Sequence, residues 1–238
     1  VSSVITGPRV EEAMHRTLRW IDRCIAANKN KASQNLFGIV QGGLDLDLRR
    51  QCVAELCRRD LPGFAIGGLS GGEEKDAFWR VVDACTACMP ADKPRYLMGV
   101  GYSVDLVVCS ALGVDMFDCV FPTRTARFGT ALTMDGNLNL KSPAFATDGR
   151  PLDPECGCHV CAHYTRAYLH TVAGREHTGG QLLSYHNIAF QMRLMRELRA
   201  AIADGTLPAY ARTFMHRQFP QAAPQWAVDA LAAAGIDL

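Results

Sequence analysis

The amino-acid sequence predicts an α/β fold, half of a (β/α)8 barrel continued by a metal-binding segment and C-terminal helices. Four short apolar runs alternate with stretches of helical period, each run ends in glycine or a polar residue, and three cysteines crowd into residues 156–161. Strands of a parallel sheet are covered on both faces, so they read as continuous apolar runs rather than alternating ones. The C-terminal ends of such strands are where a barrel presents side chains to its substrate, because the βα loops converge there.

Thr6-Gly7-Pro8 followed by Glu11 and Glu12 reads as a helix start, since proline suits the first turn and acids suit its positive end. Val10, Met14, Leu18, Ile21 and Ile25 then recur at helical spacing. A first strand is expected over 35–40, ending in Gln41-Gly42-Gly43, and a helix over 45–59. A second strand over 63–66 ends in Gly67-Gly68 and leads to a helix over about 73–89. A third, Arg95 to Met98, ends in Gly99-Val100-Gly101, with a helix over about 103–112. Val114 to Val120 is the fourth. Asp135-Gly136-Asn137 between Thr130–Met134 and Leu138–Leu140 signals a hairpin. An amphipathic helix is expected over about 186–202, its apolar face running through Ile188, Met192, Met195 and Leu198. Further helices are expected over 208–217 and 224–234. These elements group as 1–128, 129–190 and 191–238.

The 238 residues are 48% apolar and 21% charged with a net charge of +1, an ordinary soluble composition with material for a large core. No apolar run approaches the ~18 residues of a membrane span. The opening VSSVITGPRV lacks an initiator Met, a basic region and an apolar stretch, so no signal peptide is expected and the chain reads as beginning partway through a longer protein. Seven of the ten cysteines are scattered through apolar or helical stretches, which fits reduced thiols in a cytoplasmic protein better than a disulfide framework. No strand is followed by G-x-G-x-x-G, and GGLSGGE is not that motif, so a dinucleotide fold is not expected.

Cys156-Gly-Cys158-His-Val-Cys161 can close on one tetrahedral ion, and zinc is the default for thiolate-rich ligation. His163, His170, His177 and His186 could each supply a fourth ligand on spacing alone. Three unrelated buried thiols are the bland reading, disfavoured by polar, Gly- and Pro-containing surroundings. No catalytic base adjoins the cluster, so a closed structural site is expected. Cys85-Thr-Ala-Cys88 has redox spacing but falls late in a helical pattern with Phe78, Val81 and Val82, so both are expected as core thiols. In GVDMFDCVFPTR, residues 113–124, Asp118 ends the fourth strand with no base beside it, at a position a barrel aims at its substrate. Arg124 and Arg127 are either a solvated pair or phosphate contacts. Residues 120–217 hold 11 Lys/Arg against 7 Asp/Glu, a small excess favouring an RNA or phosphate partner.

With FGIVQGG (37–43), GFAIGGLSGGE (63–73), YLMGVG (96–101), DMFDCVFPTRTARFG (115–129), ECGCHVC (155–161) and HNIAF (186–190) in order, the chain resembles the tRNA-guanine transglycosylase family over essentially its whole length. The resemblance implies the C-terminal half of a (β/α)8 TIM barrel with an inserted zinc-binding subdomain. It implies exchange of a guanine in tRNA for a 7-deazaguanine base, with Asp118 attacking the ribose C1′ and a covalent RNA–enzyme intermediate. Gln41 and Gly68 would hydrogen-bond the base, and Leu69, Met98 and Gly99 would shape its pocket. Gly99, Val100, Gly101, Tyr102, Ser103, Val104 and Asp105, with Thr123, Arg124, Thr125, Ala126 and Arg127, would contact RNA around the anticodon loop. The zinc would be structural and held by Cys156, Cys158, Cys161 and His186.

The family's N-terminal half, with two further aspartates for proton transfer and base reading, is not in this sequence. Bacterial members that use 7-aminomethyl-7-deazaguanine typically carry Val where this chain has Gly71. Gly71 and the ending PQWAVDALAAAGI are similar to the eukaryotic catalytic subunit, which inserts queuine at the wobble position of tRNAs with GUN anticodons beside a homologous, non-catalytic subunit in a heterodimer. The alternatives are the bacterial-type enzyme, the accessory subunit, which lacks the nucleophile motif kept here as FDCVFPTR, and an inactive truncated isoform.

Overall fold

The structure is a computed structural model and describes residues 5–238. Val1 to Val4, the start of the opening stretch and of the 1–128 grouping, lie outside the described residues. Two compact units are present. The first takes in the described residues up to Val100, with Val108–Asp118 and Gln225–Gly235; the second takes in Gly101–Val107, Cys119–Pro224 and Ile236–Leu238.

In the first unit, helix α1 (Pro8–Ala27) starts with its proline in the first turn and buries Val10, Met14, Leu18 and Ile21, one stripe at three- and four-residue spacing. Strand β1 (Gly38–Val40) precedes α2 (Leu46–Cys57). The Asp45 carboxylate caps α2 by accepting the Asp47 and Leu48 N–H groups at 3.0 Å each, satisfying donors the first turn leaves orphaned. Then come β2 (Phe64–Ile66), α3 (Lys75–Thr86), β3 (Arg95–Leu97), α4 (Ser103–Ala111), of which the residues from Val108 on belong to this unit, and β4 (Met116–Phe117). All four strands pair in parallel, in the order β1-β2-β3-β4. This is the expected βα alternation of a half barrel.

The strands are shorter than the apolar runs suggested. The fourth keeps two residues of the seven expected, and Met116 is exposed. Val114 N–H bonds the Cys109 carbonyl at 3.0 Å, closing the turn after α4. At the other end the Arg124 N–H bonds the Val120 carbonyl at 2.8 Å, so residues 118–120 already belong to the turn into α5 (Phe121–Arg127). Helix α10 (Gln225–Ala233) completes this unit, with the Lys75 ammonium 5.5 Å from the Trp226 ring centre.

The Cys85-x-x-Cys88 expectation divides. Cys85 is buried on α3, where burial pushes its thiol up to about 12, whereas Cys88 lies past the helix end and is exposed.

The second unit holds α5 and the antiparallel hairpin β5 (Thr130–Thr133) and β6 (Gly136–Asn139). Thr133 pairs with Gly136, so the loop is Met134-Asp135, one residue earlier than Asp135-Gly136-Asn137 suggested. The Thr133 hydroxyl, donating to the Gly136 carbonyl at 2.7 Å, ties it shut. Helices α6 (His159–His163), α7 (Arg166–Val172), α8 (His177–Ala203) and α9 (Leu207–Gln218) follow. Its core gathers Ala126, Ala131, Leu140, Leu152, Val160, Leu169, Ala173 and Leu183.

Helix α8 begins nine residues before the expected 186, and its buried face differs from the expected one. Leu183, His186, Asn187, Phe190, Leu194, Leu198 and Ala201 are buried, while Ile188 and Met192 are exposed and Met195 is half-buried. The apolar pattern misled because the buried stripe is built partly from polar side chains, His186 and Asn187. Among the described residues no helix is long and apolar enough to cross a membrane.

Candidate active site and metal centre

The C-terminal ends of the four parallel strands carry the side chains singled out in the sequence. Gln41 follows β1, Gly67 to Gly71 follow β2, Met98 and Gly99 follow β3, and Asp118 follows β4. Backbone thinness matters where β2 ends. A Cβ placed on Gly68, which has φ +73°, would lie 2.7 Å from the Gln41 Oε1. One placed on Gly67 would lie 2.9 Å from the Gln41 Nε2 and 3.5 Å from the Met98 sulfur. The Gln41 amide therefore lies across the Gly67-Gly68 backbone, with Met98 beside it. Leu69 is half-buried in the same loop.

Gly71 is exposed, and its N–H donates to the Glu73 carboxylate at 2.8 Å. The same carboxylate accepts the Ser70 N–H at 2.5 Å. Ser70 holds φ +60°, a conformation costing a residue with a Cβ on the order of 1 kcal/mol, and this paired acceptor offsets it.

Asp118 resolves the puzzle of a carboxylate at the end of an apolar run: the side chain is exposed, not buried. The Tyr96 hydroxyl donates to Oδ1 at 2.5 Å and the Gly99 N–H donates to the same oxygen at 2.9 Å. Among the described residues, neither donor reaches Oδ2. The Tyr96 hydrogen bond, then that of Gly99, holds the carboxyl below its ordinary range, since a donor to the charged form favours it. Tyr96 is correspondingly pushed up to about 12, and it stays a donor at neutral pH. A carboxylate ionised at neutral pH, fixed through one oxygen and free at the other, is equipped to attack an electrophilic carbon.

Sequence reasoning did not select Tyr96, Glu73 or Arg49 of α2. Tyr96 is the middle residue of β3, in an apolar run, and only the cross-strand pairing of Tyr96 with Met116 brings it near Asp118.

The stretches expected to contact RNA differ residue by residue in exposure. In the first unit Gly99 is exposed and Val100 buried. In the second, Tyr102 is exposed, its ring 4.2 Å from that of Phe121, whereas Gly101, Ser103 and Asp105 are buried and Val104 half-buried. Arg124 and Arg127 are exposed, Thr123 and Thr125 half-buried, and Ala126 is fully buried in the core. The alternation follows from the helical turn of α5, which aims Arg124 and Arg127 outward and Ala126 inward.

The second unit also holds the thiol cluster. The ligand atoms of Cys156, Cys158, Cys161 and His186 all lie within 4.8 Å of one another. The His186 Nδ1 is 3.3 Å from the Cys161 sulfur and 3.6 Å from that of Cys158. Those are close to the edges of a tetrahedron with metal–ligand bonds of about 2.0–2.3 Å. The Nε2 of His186 lies 2.9 Å from the Leu132 carbonyl. Donation there places the proton on Nε2 and leaves Nδ1 free to ligate. Three thiolates and an imidazole with a backbone partner fit a structural zinc. Of the four histidines that spacing left open, the structure selects His186.

Its neighbour Asn187, fully buried, accepts the Leu132 N–H at 2.9 Å and donates to the Pro122 and Thr130 carbonyls at 2.9 and 3.0 Å. One amide thus ties α8 to β5 and α5.

Comparison with known proteins gives a match to the family model described as queuine tRNA-ribosyltransferase over residues 1–220. The chain is 49% identical to the queuine tRNA-ribosyltransferase catalytic subunit of Schizosaccharomyces pombe, covering 100% of this chain and 61% of that protein. It is 52% identical to the catalytic subunit of Caenorhabditis elegans, covering 89% of this chain and 53% of that one. A queuine tRNA-ribosyltransferase of Thermus thermophilus is 50% identical over 95% of this chain and 59% of its own length. The chain thus spans a little over half the length of the curated relatives it matches.

Proposed function

Because the chain belongs to the queuine tRNA-ribosyltransferase family, we propose that the protein it forms part of exchanges guanine for queuine in tRNA. The base replaced is the wobble guanine of GUN anticodons. The observation that carries this reading is Asp118, ionised, held through Oδ1 by Tyr96 and Gly99 at a strand C-terminus.

The free carboxylate oxygen attacks C1′ of the target ribose and the bond from C1′ to guanine breaks. Guanine leaves with the electron pair and takes up a proton, leaving an ester between Asp118 and RNA. The incoming base then attacks C1′ through its ring nitrogen, gives up a proton, and returns Asp118 to its carboxylate with net retention. This is the double-displacement logic of retaining glycosidases. Tyr96 and Gly99 orient the nucleophile and stabilise the carboxylate that the second displacement regenerates. The proton-transfer aspartate belongs to the family's N-terminal half.

Gln41 and Gly68 hydrogen-bond the base, and Leu69, Met98 and Gly99 shape its pocket. Gly71 leaves room for the cyclopentenediol arm of queuine, where Val suits the smaller aminomethyl base. Exposed Tyr102, Arg124 and Arg127 contact the RNA, the arginines at phosphates. We take a homologous non-catalytic subunit as partner and the cytoplasm as compartment. Zinc, when bound by the three cysteines and His186, cross-links α6, α8 and the segment before them, and takes no part in the reaction.

The test is a denaturing gel of the full-length enzyme incubated with a GUN-anticodon tRNA. A retarded covalent band is expected with the native enzyme and none with Asp118→Ala. An undiminished band in the mutant would remove Asp118 from this role.

A further inference from the structure

We propose that Arg49 is the positioning residue of the base pocket, one planar cation that sets the spacing between Gln41 and Gly68. The inference rests on the reading of those two residues as base contacts and adds to it a residue that touches no substrate.

Arg49 lies in α2 with 0% of its surface exposed. Its Nε donates to the Gly43 carbonyl at 2.8 Å, and its Nη1 donates to the carbonyls of Val40 at 3.0 Å and Gly67 at 2.8 Å. Val40 and Gly43 flank Gln41, and Gly67 immediately precedes Gly68. The three acceptors thus belong to the end of β1, the loop after it, and the end of β2. Nη2 has no hydrogen-bond partner and is sealed from solvent. It lies 3.5 Å from where a Cβ on Gly68 would stand.

Burial works against the charge of Arg49, and the nearby Glu73 carboxylate only partly offsets it. A cation buried this fully is costly even with a carboxylate nearby, and aliphatic residues of similar volume commonly serve stability better. Such local conflicts with stability concentrate where function needs them. The contacts here all converge on two strand ends that carry candidate ligands, and none goes to a side chain. Guanidinium suits the task because its donors lie in one rigid plane, so the carbonyls it holds are fixed relative to one another. A lysine ammonium is a single point on a flexible stem and cannot impose that geometry.

The experiment uses the full-length enzyme with Arg49→Lys and Arg49→Met, and reads KM for free guanine, KM for tRNA, kcat and the unfolding midpoint. Both variants are expected to raise KM for guanine by roughly tenfold, as loss of pocket geometry weakens base binding. KM for tRNA should change by less than about twofold, because the RNA contacts lie elsewhere. A lower unfolding midpoint with KM for guanine unchanged overturns the proposal and leaves Arg49 a core residue. So does a rise in both KM values by the same factor. If Arg49→Met does not fold, Arg49→Lys decides alone; if neither folds, the role is structural and the proposal falls. A wild-type enzyme that exchanges no base would instead overturn the function proposed above. An active wild type with unaltered variants overturns only the role of Arg49.

Discussion

Replacing Gly68 by alanine puts the Gln41–Gly68 arrangement under a measurable strain, and Gly72 supplies the control. Gly68 has φ +73° and Gly72 φ +101°, both in the region that disfavours any residue with a Cβ. Each alanine therefore costs about 1–2 kcal/mol in backbone strain. At Gly72 nothing lies within 4 Å of the added carbon, whereas at Gly68 it falls 2.7 Å from the Gln41 Oε1. That contact is too short to persist, so the Gln41 amide must swing away. The move costs about 1 kcal/mol more in packing. If Gln41 bonds the base as proposed, the move also removes a hydrogen bond worth about 1 kcal/mol, or roughly fivefold in KM. In the full-length enzyme both variants should show similar losses in chemical denaturation, with Gly68→Ala slightly worse. Only Gly68→Ala should raise KM for the free base. Equal KM values in the two variants would refute the placement of Gln41 and Gly68 at the base.

Tyr96→Phe removes the main donor that holds the Asp118 carboxyl below its ordinary range, so its pKa rises toward the unperturbed value of about 4. The acid limb of the pH–rate profile should move upward, with a larger activity loss near pH 4–5 than at pH 7, and an unmoved limb would contradict the assignment. By the same linkage, any stability Asp118 contributes is present above its unfolded pKa and lost as pH falls through the folded one. Asn187→Ala should destabilise the second unit by about 2–4 kcal/mol, since it strands the buried Leu132 N–H and two carbonyls; thermal unfolding reads it. Cys158→Ala should abolish the bound zinc equivalent in elemental analysis and lower the unfolding midpoint together, because such sites contribute folding free energy directly. Gly71→Val should weaken queuine incorporation about 5- to 150-fold, the range for overpacking by 1–3 kcal/mol, while sparing guanine exchange; an equal fall in both would detach Gly71 from base size.

The half barrel was legible because its strands are apolar and its helices periodic, and because glycine or polar residues mark every strand end. The Gly7-Pro8 start of α1 and its buried stripe at Val10, Met14, Leu18 and Ile21 follow local rules that tertiary packing did not override. Helix α8 escaped the same reading for a physical reason. Its core face includes His186 and Asn187, polar residues that are buried because a metal set and three backbone groups satisfy them. Periodicity sees polarity and turns such a face toward solvent. The site divides likewise. Asp118 and the three cysteines announce themselves by residue type and position. Tyr96 and Arg49 do not, because a tyrosine inside a strand and an arginine inside a helix look like core edge and solvated face. Only strand register brings Tyr96 to Asp118, and only the packing of α2 against β1 brings Arg49 to the carbonyls of Val40, Gly43 and Gly67.

The central claim is that Asp118 itself bonds to RNA, and mapping the attachment site tests it most directly. The full-length enzyme would be trapped with tRNA, digested with nuclease and trypsin, and the nucleotide-bearing peptide sequenced by mass spectrometry. Cleavage after Arg95 and Arg124 releases residues 96–124, which contain Asp105, Asp115 and Asp118. Asp105 is buried, and the Asp115 carboxylate accepts the Arg95 N–H at 2.8 Å, so neither is placed to attack. The account predicts the nucleotide mass on Asp118 alone. Attachment to either other aspartate, or to any peptide outside 96–124, would contradict it.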